Sequence, residues 1–383
     1  MSELNADYDK VRQQHASKKQ TPLWPLAQAR ANKTPLDWVG YQPTVPKFVG
    51  RRVFKNFDLA ELASYIDWGP FFQTWDLAGP YPAILDDAVV GLEARKLLAD
   101  GQAMLKKIIA GRWLTANGVI GLYPAAAVND DDIALYTDES RREVALTWHG
   151  LRQQAAREAE DDGTFKPSRC LADFVLPAPD ATVNIASGSD GASARGQIDT
   201  KGLLPGNAPA AAAAAGGDYI GLFAVTTGLG ADAKEAQFAT AHDDYSAILF
   251  KALADRLAEA FAECLHHKVR TDLWGYATGE SLAVPELIAE RYRGIRPAPG
   301  YPACPDHSVK REMFALLQCD EIGMHLTGSL AMTPAASVSG FYLAHPQATY
   351  FNVGRIGEDQ VQDMAQRRGV AVEQVRRWLG PNL

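Results

Sequence analysis

Gly294-Ile295-Arg296-Pro297-Ala298-Pro299-Gly300-Tyr301-Pro302 is the most constrained stretch of this chain. Three prolines in six positions fix φ and remove N–H donors, so neither a helix nor a central strand passes through it. The backbone is held on an extended, rigid path, and its polar groups lose little freedom when a ligand arrives. Gly300 leaves room for close backbone approach. Arg296 supplies a planar fork suited to a carboxylate. The same residues also make a rigid surface turn with a solvent-facing arginine, and residue chemistry alone leaves both readings open.

Upstream, residues 286–292 read as a short helix and 242–269 as the strongest helix of the chain. Leu249, Leu253, Leu257, Phe261 and Leu265 recur at helical spacing and form its core stripe. Asp255, Glu259 and Glu263 stand at i, i+4 and i+8, roughly opposite that stripe. Such a row usually marks a solvated helix face. Downstream, 309–317 read as a helix, 337–343 and 350–353 as strands, and 358–378 as one amphipathic terminal helix. On a strand, Tyr350 and Phe351 point to opposite faces, one to the core and one towards a ligand.

Nearer the N-terminus, 57–65 read as a short helix and 86–109 as a longer one with a broad apolar side. Residues 119–123 and 133–136 read as strands around the turn Asn129-Asp130-Asp131. Residues 151–159 read as a helix, 170–176 as a strand and 219–225 as a buried strand. In Ile66-Asp67-Trp68-Gly69-Pro70-Phe71-Phe72 an acid sits among aromatics, which suits an ammonium or sulfonium ligand. An aspartate capping the next turn explains the same pattern.

Residues 1–45 read as a leader: Tyr8, Val11 and His15 repeat at helical spacing before prolines break the pattern. The body spans 46–383. Within it, about 178–217 is rich in Ala, Gly, Ser, Pro and Asp and reads as a flexible, low-complexity insertion.

With 47% apolar and 22% charged residues the chain calls for a packed soluble core. The net charge of −8, without a basic face, argues against nucleic acid as a partner. No run of 18 apolar residues calls for a membrane. Cys170, Cys264, Cys304 and Cys319 form no C-x-x-C pair, so reduced thiols and a cytoplasmic location are expected. Missing too are G-x-G-x-x-G, a phosphate loop and a metal-ligand spacing, so the usual nucleotide folds and a bound metal are not expected.

Several segments, in order, resemble one family. They are Tyr65-Ile66-Asp67-Trp68-Gly69-Pro70-Phe71-Phe72, His242-Asp243-Asp244-Tyr245, residues 251–263, and the Arg296 segment extended to Pro305. Ala336-Ser337-Val338-Ser339-Gly340 and the ending Arg377-Trp378-Leu379-Gly380-Pro381-Asn382-Leu383 complete the set. Together they resemble the activation domain of cobalamin-dependent methionine synthase from about residue 46 onward.

The resemblance implies an α+β fold: a curved, C-shaped domain with a twisted, mainly antiparallel sheet and flanking helices. It implies S-adenosylmethionine as ligand, in a groove built without a Rossmann fingerprint. Carried over by motif, Arg296 grips the ligand carboxylate and Asp67 its ammonium. The backbone at Ala298 and Tyr301 reads the adenosine portion, and Gly300 allows its approach. Tyr350 lines the pocket near the sulfonium. Phe351 stands where the family often has a second tyrosine, and Glu259 lines the same groove. No side chain is expected to be catalytic.

The implied activity is part of a methyltransferase reaction, the reductive re-methylation of cob(II)alamin to methylcobalamin. The implied partners are the cobalamin-binding domain of methionine synthase and a flavodoxin-type or flavoprotein reductase. Cobalamin is expected only through a partner domain or chain, because this sequence lacks D-x-H-x-x-G. It also lacks the family's zinc and folate sites, so this chain alone is not expected to make methionine. A different class fits the same pocket: a non-catalytic module that senses S-adenosylmethionine without a cobalamin partner.

Overall fold

The computed structural model of the protein describes residues 21–157, 159–161, 163–178 and 217–383. The leader positions Tyr8, Val11 and His15, and the insertion apart from its two end residues, lie outside the described residues. In chain order the elements are α1 (Leu26–Ala31), β1 (Gly50–Phe57), α2 (Leu59–Ala63), α3 (Gly69–Gln73), α4 (Gly91–Gly111), β2 (Thr115–Val128), β3 (Asp132–Tyr136) and β4 (Val144–His149). Then come β5 (Asp218–Leu229), α5 (Ala231–Thr240), α6 (Asp244–Lys268), α7 (Val284–Ile288), α8 (Lys310–Leu317), β6 (His325–Leu326), β7 (Met332–Thr333), β8 (Ser337–Tyr342), α9 (Glu358–Arg368) and α10 (Val372–Trp378).

Strand β2 organises the sheet. One edge pairs with β5 along nearly its whole length, and β5 in turn pairs with β8. The other edge is shared, with β1 from Ala116 to Leu122 and β3 from Ala125 to Val128. Pro124, which has no N–H to give, falls in the gap between the two. β4 extends the sheet beyond β3, and all of these pairings are antiparallel. The fold is therefore α+β with an antiparallel sheet, as the resemblance implied.

Both faces of β2 are covered, so it is buried without alternation from Gly118 to Ala126. A Cβ on Gly118 would meet the Phe261 ring of α6 at 3.0 Å. A Cβ on Gly121, on the opposite face, would meet Leu317 of α8 at 3.0 Å. The two glycines thus let a helix press on each face. Ile120, Leu122 and Phe223 join Leu253, Leu257 and Phe261 on the α6 side. Val119, Leu222 and Ala224 join Met313 and Leu317 on the α8 side. Each such large apolar side chain contributes about 1.5–3 kcal/mol by leaving water.

Helix α6 starts where Asp243 accepts the Ser246 N–H at 3.0 Å. Its expected core stripe is buried throughout. It then widens into an i→i+5 turn, Val269–Leu273, in which the Trp274 N–H reaches the Val269 carbonyl. That turn places Arg270 with no exposure at all.

Four segments differ from the sequence reading. Residues 151–157 are extended, not helical. Their backbone partners are leader residues: Trp24 N–H donates to the Gln154 carbonyl and Ala156 N–H to the Pro22 carbonyl. Arg152, fully buried there, holds Asp131 and Asp173. Residues 170–176 are not a strand, because Asp173 turns back towards Arg152 and caps a short 3-10 turn, Leu171–Phe174. Residues 350–353 are irregular, with a single backbone bond from Val353 N–H to the Pro302 carbonyl. The terminal helix is two helices, α9 and α10, broken at Gly369 with φ +64°. The other helix bounds move by a few residues: α4 begins five residues later than read, and α7 covers only Val284–Ile288.

Candidate functional site

The Arg296 segment is carried by β8. Ile295 and Leu343 exchange two backbone hydrogen bonds of 3.0 Å, and the Phe341 N–H donates to the Pro297 carbonyl at 2.9 Å. The prolines can only accept, and a carbonyl is what β8 uses. Beyond Pro297 the chain folds into a tight double turn. Tyr301 N–H donates to the Ala298 carbonyl, Gly300 N–H to Cys304 and Cys304 N–H to Tyr301. Gly300 sits at φ +97°, and a Cβ there would lie 2.0 Å from the His307 ring. Turn geometry and His307, together, demand a glycine here.

A groove of about 300 Å³ opens between this turn, β5, β8 and α6. Glu259, Arg296, Ala298, Tyr301, Tyr350 and Phe351 all line it. Phe223, Pro297, Pro302, Ala303 and Val338 make its apolar walls, and Glu290 adds a second carboxylate. Gly300 and Asp67 are not on the wall. Gly300 acts through the turn that brings Ala298 and Tyr301 there. Asp67 accepts the Gly69 N–H at 2.9 Å, as a turn cap does. Its segment is joined to this region through Tyr65, whose hydroxyl lies 2.8 Å from His267 Nδ1 on α6.

Tyr350 and Phe351 both face the groove, against the expectation of opposite faces. No partner strand imposes alternation on them. The Tyr350 hydroxyl accepts the backbone N–H of Arg296 at 2.9 Å and lies 3.3 Å from the Tyr292 hydroxyl.

Arg296 is not an arginine waiting at the surface. Its Nη2 lies 2.6 Å from Glu263 Oε2, its Nη1 donates to the Tyr292 hydroxyl at 2.8 Å, and Nη1 lies 3.4 Å from His266 Nδ1. Nε makes no hydrogen bond to any described residue. The side chain is one-fifth exposed. Glu263 and the neighbouring phenols hold the guanidinium charged against the cost of burial. Burial, and then the charges of Arg270 and Arg296, push the His266 pKa well below its usual value. The ring is therefore neutral, accepting at Nδ1 and facing Tyr276 at 3.2 Å with Nε2. His266 stacks on Tyr342, and Tyr342 on Phe223, so the floor beneath Arg296 is a pile of rings.

The acidic row of α6 is not a uniform solvated face. Asp255 is exposed, Glu259 half-buried at the groove, and Glu263 buried. Burial raises the Glu263 carboxyl, and Arg296 and Arg270 pull it back. Glu290 is likewise raised by burial and pulled back by Arg296. The Glu259 carboxylate, ahead of burial, raises the Tyr301 phenol. Sequence reading missed Glu263, Tyr292 and His266 as site residues. The i, i+4, i+8 spacing already aligned Glu263 with Glu259, and the alanine-rich surround of residues 258–262 was the sign that the row goes inward.

Among the described residues no helix is long and apolar enough to cross a membrane, and Cys170, Cys264, Cys304 and Cys319 are free and buried. The chain is similar to a solved structure described as the crystal structure of the MetH reactivation domain bound to AdoHcy. The two are 45% identical with a TM-score of 0.80, over 95% of this chain and 99% of that one. Residues 58–191 and 208–369 match the family described as vitamin B12 dependent methionine synthase, activation domain. With that match spanning most of its length, and with this fold, the chain belongs to the methionine synthase activation-domain family.

Proposed function

We propose that this chain binds S-adenosylmethionine in the Arg296 groove and presents its methyl group for reductive re-methylation of a cobalamin held by another domain or chain. The observation that carries the reading is the guanidinium of Arg296, fixed on the wall of the groove with Nε making no hydrogen bond among the described residues. A ligand carboxylate meets it there as a charge-assisted acceptor. Glu259 and Glu290, beside it, favour the cationic end of the ligand. Asp67, carried over by motif, takes the ammonium with the oxygen not bonded to Gly69. Ala298 and Tyr301 offer backbone groups to the adenosine, and Phe351, Pro302 and Val338 an apolar wall. The relative at 45% identity, described as bound to AdoHcy, supports a ligand of this class.

The reduced cobalamin of the partner supplies the nucleophile for the methyl carbon. No side chain here needs to act as a base. The work of these residues is to orient the sulfonium and hold the methyl group in line. The electron comes from a flavodoxin-type or flavoprotein reductase in this reading. Calorimetric titration with S-adenosylmethionine and S-adenosylhomocysteine tests it. Binding without added metal or nucleotide is expected, and neither heat nor thermal shift at millimolar ligand would overturn it.

A further inference from the structure

We propose that Glu263, together with Tyr292, is a positioning residue for ligand binding: the two hold the Arg296 guanidinium in the one orientation that receives the ligand carboxylate. The proposal rests on the reading of the groove given above.

The guanidinium is planar, and its usefulness to a carboxylate depends on which edge it turns outward. Glu263 Oε2 engages Nη2 and the Tyr292 hydroxyl engages Nη1. Both terminal nitrogens are thereby tied to the protein. Tyr292 is tied in turn to Tyr350, which accepts the backbone N–H of Arg296 itself. Side chain and backbone of one residue are thus fixed by one chain of hydroxyls.

Glu263 has its own support. Its Oε1 has no hydrogen-bond partner among the described residues and lies 3.9 Å from Nη1 of Arg270, which also lacks one. Arg270 is held elsewhere by Glu280, with Nε 2.9 Å from Oε2 and Nη2 2.7 Å from Oε1. Two guanidiniums and two carboxylates therefore alternate through the interior, and the widened turn after α6 puts Arg270 in the row. Glu263 is thus shared between two guanidiniums, 2.6 Å from Arg296 and 3.9 Å from Arg270. A buried carboxylate with this placement does not touch the ligand; it acts through Arg296.

The test compares two probes in the whole chain. S-Adenosylhomocysteine carries the amino-acid carboxylate and ammonium, and 5′-methylthioadenosine has the same adenosine and a thioether but neither charged group. The effect of a variant at Glu263 or Tyr292 is therefore compared with that of Asp67→Asn, to separate the carboxylate from the ammonium. The parent should bind the first about 30-fold or more tightly than the second, the order of effect for charge-assisted contacts to the amino-acid end. Glu263→Gln keeps the shape and removes the charge. It should lower affinity for S-adenosylhomocysteine about 10-fold while changing that for 5′-methylthioadenosine less than about 2-fold. Tyr292→Phe should narrow the same ratio by a smaller factor. An equal loss for both probes in Glu263→Gln would mean a merely structural role and overturn the proposal. If Glu263→Gln does not fold by circular dichroism, Tyr292→Phe decides: a narrowed ratio supports the proposal and an unchanged ratio overturns it. A parent that does not discriminate between the probes overturns the carboxylate grip of Arg296 itself, and the two failures are told apart.

Discussion

The Arg296 guanidinium and the Glu263 carboxylate meet at 2.6 Å, with the carboxylate buried and the guanidinium one-fifth exposed. The residue best placed to grip a ligand is therefore also a structural residue, and its removal leaves a buried acid without its nearest counter-charge.

Arg296→Ala should consequently reduce both stability and binding. Breaking a pair that is largely out of water costs about 3 kcal/mol, and losing the ligand contact costs about 2–4 kcal/mol of affinity. Arg296→Lys should recover part of each, because a point charge cannot satisfy Glu263, Tyr292 and a ligand at once. Thermal melts and calorimetry on the same two proteins check this. A melting temperature equal to the parent's in Arg296→Ala contradicts the structural half.

Asp67→Asn separates cap from ligand contact. The amide oxygen still accepts the Gly69 N–H, so stability should change by less than about 0.5 kcal/mol. Affinity for S-adenosylhomocysteine should fall about 10-fold, through loss of the charge facing the ammonium. An unchanged dissociation constant would leave Asp67 with the capping role alone.

Gly300→Ala should destabilise the turn by about 1–3 kcal/mol, since φ +97° and the His307 ring both exclude a side chain. Adding His307→Ala should relieve the collision but not the backbone strain, so recovery is partial. Full recovery of the melting temperature in the double variant would show that contact with His307 was the whole cost.

The neutral state of His266 gives a pH signature. Its pKa is lower folded than unfolded, so it contributes stability above the unfolded value, near 6.5, and loses it as pH falls further. The loss is at most about 1.4 kcal/mol per pH unit. Glu263 and Asp218, the latter pushed up to about 6 by burial, act in the opposite sense. The comparison is therefore the parent against His266→Gln, which shares those carboxylates. The stability advantage of the parent should shrink between pH 7.5 and 5, and an advantage constant with pH refutes the assignment.

Much of this protein is determined by local sequence. The core stripe of α6, the cap at Asp243 and the buried run of β5 follow from spacing and residue type, because each element selects its own face for burial. The proline-locked Arg296 segment is equally local: proline restricts the chain whatever surrounds it. Strand β1 was not legible, since Arg51, Arg52 and Lys55 interrupt its apolar residues; pairing with β2 makes it a strand. β4 and α5 escaped for related reasons, one being short and the other burying only Ala231. The 151–157 segment took an extended form because leader residues, distant in sequence, satisfy its backbone.

The site divides along the same line. Residue type and motif pointed to Arg296, Ala298, Tyr301, Tyr350, Phe351 and Glu259, and the groove gathers these six. That Tyr350 and Phe351 share a face, that Gly300 serves the turn, and that Glu263 belongs with Arg296 were decided only in three dimensions. Spacing along a helix aligns Asp255, Glu259 and Glu263, but the depth of each depends on what packs over it. Here the Arg296 segment, hung from β8, covers the inner end of the row and leaves the outer end in water. A one-dimensional pattern carries direction around a helix axis; the dielectric along that axis is set by the rest of the fold.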